Sequence, residues 1–179
     1  PTLAPLVPDV IMRPGADGSW HVELNPDTLP RLIVDRSYHA TLSRGGGPPE
    51  TRRFVASRMQ EANWLVRTLD QRARTILAVA AAIVEHQSKF FAHGIAHLRP
   101  LVLRDIAATI AMHESTVSRA TAHKYIATPR GLFELRYFFT AAVGPAHRGE
   151  ARSAESIRHR IRALVAAEPA SESHRVAAR

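Results

Sequence analysis

Apolar and polar residues alternate near the start of the chain, over residues 9–24. Alternation with a period of two is typical of a half-buried β-strand. Residues 14–18 (Pro-Gly-Ala-Asp-Gly) interrupt the run with a composition that favours a turn. The pattern therefore predicts a hairpin of short strands with a five-residue turn, in which Trp20, Val22 and Leu24 share one face.

A much longer helical pattern follows a glycine and proline loop at residues 45–49, which we interpret as the first domain boundary. Residues 50–92 contain neither proline nor glycine, and Gly94 ends the stretch. Helical spacing relates seven apolar residues of this stretch: Phe54, Ala62, Leu65, Leu69, Ile76, Ala80 and Ile83. We predict one very long helix or two nearly continuous ones, about 60 Å long at about 1.5 Å per residue. A helix of this length has to bridge two parts of the protein.

Two short helices joined by a tight turn are predicted next, in a helix-turn-helix arrangement. The apolar residues that would hold the two helices together are Ile106, Ala107, Ile110, Met112, Val117 and Ala120. The turn falls near residues 111–113, and the second helix starts near residues 113–115, one of which caps it. Glycine would suit this turn better, because Ala111 in a left-handed conformation costs about 1 kcal/mol relative to glycine, so that the turn is either slightly strained or differently shaped.

The second helix of this pair offers polar side chains to solvent. If Val117 and Ala120 point inward, Ser115, Thr116, Ser118 and Arg119 have to point outward. Arginine can bond the edge of a guanine through two hydrogen bonds, and short hydroxyl side chains can bond bases or phosphates at close approach. These residues therefore predict a helix that enters a DNA groove, with a merely solvated helix face as the alternative.

Beyond this helix, Lys124, Tyr125 and Arg130 are expected to contact phosphate, which fixes register rather than sequence. Residues 128–131 predict a turn, and residues 132–142 predict a third helix. Aromatic residues of that helix are assigned to the core rather than to base stacking; they are Phe133, Tyr137 and Phe138. A final helix is predicted to run to residue 167 with Ser153 or Ser156 as its cap, before a flexible tail at residues 169–179.

Charge is distributed unevenly along the 179 residues, whose formal net charge is +8. Residues 1–50 carry four basic and six acidic residues, whereas residues 51–100 carry eight and three, residues 101–150 six and four, and residues 151–179 six and three. The excess of arginine over lysine, 22 against two, is typical of a GC-rich genome, but such a bias does not explain this asymmetry. A polyanionic partner is therefore expected for residues 51 onward.

Several classes of protein and site are disfavoured. The chain has no cysteine, which excludes disulfides and thiolate metal sites, and its longest apolar run, residues 76–84, is shorter than the ~20 residues of a membrane span. We therefore expect a cytoplasmic protein. His93 and His97 have ligand-like spacing but no third partner, and His113-Glu114 lacks the second histidine of a zinc protease. No metal, no cofactor and no catalytic residue is predicted, so the chain is not expected to be an enzyme.

Longer stretches carry a family resemblance. They are residues 98–107 (Leu-Arg-Pro-Leu-Val-Leu-Arg-Asp-Ile-Ala), 112–119 (Met-His-Glu-Ser-Thr-Val-Ser-Arg) and 124–139 (Lys-Tyr-Ile-Ala-Thr-Pro-Arg-Gly-Leu-Phe-Glu-Leu-Arg-Tyr-Phe-Phe). Shorter ones lie at residues 8–11, 20–25, 29–32, 62–65, 71–72 and 153–157. Together they resemble the bacterial sigma-54 (RpoN) family of sigma factors over about residues 8–168.

The resemblance implies a mainly α fold: a small, partly β and partly helical N-terminal segment, a very long helix, and a helix-turn-helix domain. It assigns residues 1–48 to part of the region that binds core RNA polymerase, residues 49–97 to an extra-long connecting helix, and residues 98–168 to the DNA-binding domain. Arg119 would read a base pair of the minus-twelve promoter element in double-stranded DNA. Trp64 and Arg72 would lie at the promoter fork, although Trp64 read without the family is expected to be buried.

The family pattern is incomplete in two places. No stretch before Arg179 matches the family's box, Ala-Arg-Arg-Thr-Val-Ala-Lys-Tyr-Arg-Glu, and the glutamine- and leucine-rich N-terminal region that answers an AAA+ activator ATPase in the intact family protein is missing. The resemblance therefore predicts a fragment or a truncated homologue, to which upstream-element reading and activator response are not carried over. Two other functions stay open: a free-standing helix-turn-helix repressor that dimerises on a palindrome, and a protein-only adaptor that binds polymerase or other acidic partners.

Overall fold

The structure is a computed structural model that describes residues 6–30, 32–37, 40–41, 48–143 and 152–167. The described part is mainly helical with a small sheet, as predicted. Most of the predicted loop at residues 45–49 and all of the predicted tail at residues 169–179 lie outside the described residues.

The N-terminal hairpin is confirmed. β1 (Val10–Pro14) pairs antiparallel with β2 (Trp20–Leu24), in a register that places Val10 opposite Leu24. Five residues form the turn, in which Gly18 has a φ of +79°, a conformation that glycine adopts without strain. The predicted face is also confirmed, because Trp20, Val22 and Leu24 pack against the core.

A second hairpin, more than 100 residues later in the chain, extends the same sheet. It consists of β3 (Tyr125–Thr128) and β4 (Gly131–Glu134). Val10 and Ile11 of β1 pair in parallel with Ile126 and Ala127 of β3, which gives the strand order β2-β1-β3-β4. Residues 10–24 and 125–134 therefore share one sheet and one core.

The predicted third helix at residues 132–142 is wrong. Its first residues form β4, its middle forms a 3-10 helix (Leu135–Phe138), and its last residue opens the short strand β5 (Ala142–Val143). The two-residue turn at Pro129 and Arg130 sends the chain straight back along β3. Hydrogen bonding to a strand that already pairs with β1 overrides a local apolar spacing that would also fit a helix.

The predicted long helix is confirmed as α1 (Pro49–His86), a single helix of 38 residues and about 57 Å. Gln87 separates it from α2 (Ser88–His93), which ends at Gly94 with a φ of +99°. The seven apolar residues related by helical spacing are not all buried, because the buried residues of α1 all lie between Thr75 and Val84. Upstream, Phe54 is 61% exposed and Leu65 is 42% exposed.

An aromatic cluster within the core joins α2 to the segment after β3. Edge-to-face contacts link Phe90 to Phe91, Phe133 and Phe138, and Tyr137 packs beside them. The prediction that Phe133, Tyr137 and Phe138 belong to the core is confirmed. Burial, and to a smaller extent the charge of Glu155, raises the pKa of the Tyr137 hydroxyl above its ordinary value.

A short 3-10 helix (Ile95–His97) follows α2, and three further α-helices lie beyond it: α3 (Leu103–Thr109), α4 (Glu114–Thr121) and α5 (Ala154–Ala167). The predicted cap of the last helix is confirmed, because the Ser156 backbone N–H donates to Ser153 Oγ at 3.1 Å. A short strand, β6 (Arg152–Ser153), leads into α5 and pairs with β5. Among the described helices, none combines the length and the apolar character needed to cross a bilayer.

Candidate nucleic-acid interface

α3 and α4 form a compact pair that packs on α1. Ile106 and Ala107 of α3 are buried, as is Val117 of α4, which is 0% exposed. Ile110 and Ala120 are partly buried against the same core. These are the residues whose spacing predicted the pair, and their burial decides which side of α4 faces outward.

The turn between the two helices contains a non-glycine residue in the left-handed region. Ala111 has a φ of +52°, so that of the two possibilities left open by the sequence, a slightly strained turn or a differently shaped one, the first is found. The next residue closes the end of α3, because the Met112 backbone N–H donates to Ala107 O at 2.9 Å. The turn is thus tight and mildly strained.

Replacing Ala111 by glycine is expected to stabilise the protein by about 0.5–1 kcal/mol. Relief of the left-handed strain, about 1–2 kcal/mol, is partly offset by the greater freedom of glycine in the unfolded chain. Urea unfolding monitored by circular dichroism measures the change. The matched control is Ala108→Gly, at an exposed position inside α3, which is expected to destabilise by about 0.5–1 kcal/mol. A loss of stability in both variants would contradict the role assigned to the turn.

His113 caps α4, as the sequence predicted for one of residues 113–115. Its Nδ1 accepts a hydrogen bond from the Ser115 backbone N–H at 3.2 Å and lies 2.8 Å from Ser115 Oγ. The cap satisfies an amide group that has no partner within the helix. It also holds the Ser115 side chain in the first turn of α4.

The outward face of α4 carries the four residues selected from the sequence. Ser115 and Arg119 are exposed, and Thr116 and Ser118 are half-buried. No hydrogen bond or ion pair joins the Arg119 guanidinium to another described residue. Five donors of a fixed cationic group are therefore available to a partner.

Tertiary structure places Arg119 beside a second arginine. A cleft of about 580 Å³ separates α1 from α4 and includes Arg72 and Arg119 on its opposite walls. Polar side chains of Thr68, Gln71 and Thr116 also line it, and no carboxylate does. Two cations with no neighbouring anion give this cleft a positive potential that attracts a polyanion.

Trp64 lies on the same helix as Arg72, eight residues earlier and about 12 Å along the helix axis. Its side chain is 67% exposed, so the expectation of burial is wrong. An exposed indole offers a flat apolar surface on which a base can stack.

The Lys124 side chain and the Tyr125 backbone both bind the same carboxylate within the protein. Lys124 Nζ lies 3.0 Å from Asp9 Oδ1, and the Tyr125 backbone N–H donates to Asp9 Oδ2 at 3.0 Å. Asp9 was not selected from the sequence as a site residue. A separation of 115 positions between Asp9 and Lys124 leaves no local signal that they meet.

Arg130 also has acceptors inside the protein. Its Nε donates to Phe91 O at 2.6 Å and its Nη2 donates to Ala92 O at 2.5 Å. The side chain thereby satisfies carbonyl groups at the C-terminal end of α2, where a cation is favoured by the helix dipole. The predicted turn at residues 128–131 is confirmed, with the Thr128 hydroxyl donating to Gly131 O at 2.8 Å.

The histidine pair singled out from the sequence is adjacent in space, with the rings of His93 and His97 centred 5.2 Å apart. Within the described residues, no group of three or more histidine, aspartate or glutamate side chains could hold a metal ion.

Comparison with known proteins identifies close relatives. The family described as "Sigma-54, DNA binding domain" matches residues 52–175. The chain is 59% identical over 163 residues to an RNA polymerase sigma-54 factor of Caulobacter vibrioides and 54% identical over 168 residues to one of Azorhizobium caulinodans, matches that cover 91% and 94% of this chain. In both cases it spans 33% of the relative's length.

A solved structure has a similar fold. The crystal structure of Aquifex aeolicus sigmaN bound to promoter DNA matches with a TM-score of 0.62 and 26% sequence identity. The match covers 93% of this chain and 48% of the other.

Proposed function

This chain belongs to the sigma-54 family, and we propose that it acts in transcription initiation by binding core RNA polymerase and recognising the minus-twelve promoter element in double-stranded DNA. α3, the turn and α4 form a helix-turn-helix, and α4 is its recognition helix. Ser115, Thr116, Ser118 and Arg119 face the bases. The role is one of binding rather than catalysis.

The arginine-lined cleft between α1 and α4 carries this proposal. Arg119 is exposed, has no partner among the described residues, and shares the cleft with Arg72. If α4 merely faced solvent, there would be no reason for Arg72 of the long helix to lie in the same cleft as Arg119. A duplex lying along α4 receives base contacts from the helix and phosphate attraction from the cleft walls. The sigmaN of Aquifex aeolicus, a similar fold, is bound to promoter DNA in its crystal structure.

We assign the segments of the chain to separate tasks. Residues 1–48 and parts of the long helix contact polymerase, residues 49–97 connect, residues 98–168 read DNA, and residues 169–179 form a tail. The acidic balance of residues 1–50 and the basic balance of the rest support this division. The division between polymerase binding and DNA reading is not strict, because the hairpin at residues 10–24 also belongs to the sheet that contains β3 and β4 of the DNA-binding segment.

Trp64 and Arg72 are assigned to the promoter fork, where paired DNA meets unpaired bases. Both side chains are exposed and both lie on α1. The indole can stack on an unpaired base, and the guanidinium can hold the phosphate beside it.

Replacing Trp64 by alanine is expected to leave the free energy of unfolding within about 0.5 kcal/mol of the original, because the side chain is already exposed. Binding to a duplex with unpaired bases beside the minus-twelve element is expected to weaken by about 1–3 kcal/mol, the contribution of one stacked base. Fluorescence anisotropy with the fork duplex and with a fully paired duplex measures the difference.

The matched control for Trp64 is Phe54→Ala, which removes another exposed aromatic residue from the same helix. It should leave both duplexes bound as before. An equal loss on the fork and the paired duplex in Trp64→Ala would exclude stacking on unpaired bases.

The proposed function is tested by binding and by mass. Anisotropy at about 0.15 M salt, a concentration that screens loose electrostatic contacts, compares a promoter duplex with a scrambled duplex, with and without core polymerase. Retention of a monomer by polymerase, together with preference for the promoter, is the expected result. Equal competition by both duplexes would favour the adaptor, and a dimer that binds a palindrome without polymerase would favour the repressor.

A further inference from the structure

We propose that Asp9 is a positioning residue for the recognition helix α4, and that Lys124 acts through Asp9 rather than by contacting phosphate. This inference rests on the proposed DNA-reading role of α4. It implies that the N-terminal hairpin helps to position α4 for DNA binding, in addition to lying in the segment assigned to polymerase binding.

Asp9 makes three contacts at one point of the chain. Its Oδ1 pairs with Lys124 Nζ at 3.0 Å, and its Oδ2 accepts a hydrogen bond from the Tyr125 backbone N–H at 3.0 Å. Its own backbone N–H donates to Tyr125 O at 2.9 Å. One residue therefore holds both a charged side chain and the backbone of its neighbour.

Burial makes this ion pair different from the others in the described chain. The side chains of Lys124 and Asp9 are 23% and 17% exposed, whereas in each other ion pair of described residues at least one side chain is more than half exposed. Solvent screens a half-buried pair less, and its geometry is held by surrounding atoms. A phosphate that recruited Lys124 would leave the Asp9 carboxylate half-buried without its cation, which is unfavourable.

The contact lies directly after the recognition helix. α4 ends at Thr121, and His123 then takes a left-handed conformation with a φ of +53°. The Leu135 backbone N–H donates to Lys124 O at 2.8 Å, so that the residue is fixed from a second side. Only two residues separate the end of α4 from Lys124, which is held from two sides. A displacement of Lys124 would therefore shift the helix.

The other end of the contact is equally fixed. Asp9 precedes β1, and its carbonyl accepts a hydrogen bond from the Asn25 backbone N–H at 2.8 Å. Asn25 Nδ2 donates to Pro8 O at 2.8 Å, and Asn25 is 7% exposed. The two ends of the hairpin at residues 10–24 are thus bound together around Asp9, and the hairpin and α4 form one unit.

The experiment compares Asp9→Asn, Lys124→Met and the double variant with the original chain. The asparagine oxygen can still accept the Tyr125 N–H, so that the substitution mainly removes the charge. Affinities for promoter and scrambled duplexes are measured over a range of salt, with circular dichroism to verify that each variant is folded at the assay temperature. Glu23→Gln is the matched control, because it removes a carboxylate from an exposed ion pair of the same hairpin.

Each single variant is expected to lower promoter affinity by about 3- to 10-fold, as is typical of coupled contacts. Affinity for scrambled DNA and the salt slope should stay the same. The double variant should bind the promoter duplex at least as tightly as the single variant with the lower affinity, because each single substitution already removes the ion pair between Asp9 and Lys124. Lys124→Arg should restore the preference for the promoter, and Glu23→Gln should change nothing.

Other results overturn the inference. If Lys124→Met weakens both duplexes alike and reduces the salt slope by about 0.9, Lys124 contacts phosphate directly. If Asp9→Asn strengthens binding to both duplexes, its carboxylate only masks a cation. Equal loss on both duplexes, or no change, excludes positioning. Failure of the original chain to prefer the promoter is a separate result, because it refutes the proposed function instead.

Discussion

Arg119→Ala is expected to weaken binding to the promoter duplex by about 1–3 kcal/mol, or about 5- to 150-fold, and to relax base preference at one position. The exposed guanidinium on α4 has no partner among the described residues, so that its donors are available to a base edge. Folding should be unaffected, since the side chain lies at the surface. The measurement is a set of anisotropy titrations with duplexes substituted at each position of the minus-twelve element.

Arg67→Ala is the matched control for the lost charge. Arg67 is exposed on α1 but does not line the cleft between α1 and α4. Removing it should leave base preference intact. If Arg119→Ala instead weakens every sequence by the same factor, Arg119 contacts phosphate and the assignment as a base reader is wrong.

Gln87→Met is expected to destabilise the protein by about 2–4 kcal/mol, because two backbone groups lose their partners in the interior. Gln87 is 0% exposed at the break between α1 and α2. Its Nε2 donates to Arg99 O at 2.8 Å, and its Oε1 accepts from the Arg99 backbone N–H at 3.0 Å. Methionine fills a similar volume, so that the loss reports hydrogen bonding rather than a cavity.

Urea unfolding measures this loss, with Gln60→Met as the control on the exposed part of α1. The control is expected to change stability by less than about 0.5 kcal/mol. The segment that Gln87 holds leads from the long helix into α3, and DNA binding should therefore weaken as well. A Gln87→Met protein as stable as the original would show that solvent or another group satisfies Arg99.

Local patterns predicted most of the elements because each is decided by nearby residues. The alternation of Trp20, Val22 and Leu24 predicted the first hairpin, and the absence of proline and glycine from residues 50–92 predicted the long helix. The position of the turn near Ala111 followed from the spacing of the apolar residues in the two helices, whereas its left-handed conformation was left open. Each depends on backbone geometry over a few residues, which the sequence specifies directly.

The error at residues 132–142 shows where local patterns fail. A hairpin signal was present, because Thr128-Pro-Arg-Gly131 stands between two short runs that contain apolar and aromatic residues. The apolar spacing of the following residues favoured a helix. Pairing of β3 with β1, more than 100 residues earlier, decided the outcome.

Local sequence patterns were enough for most of the elements, for the basic character of residues 51 onward, and for the residues of α4 that face outward. The outward residues of α4 could be predicted because Val117 and Ala120 have to be buried. Once two positions of a helix face inward, helix geometry determines which positions face outward.

Only the tertiary structure decided which of these residues are available to a partner. It brought Arg72 and Arg119 to one cleft, left Trp64 exposed, and engaged Lys124 with Asp9 and Arg130 with the end of α2. Such encounters depend on how distant segments pack around a shared core. Residue spacing along the chain does not predict these contacts, because they depend on the packing of the whole folded core.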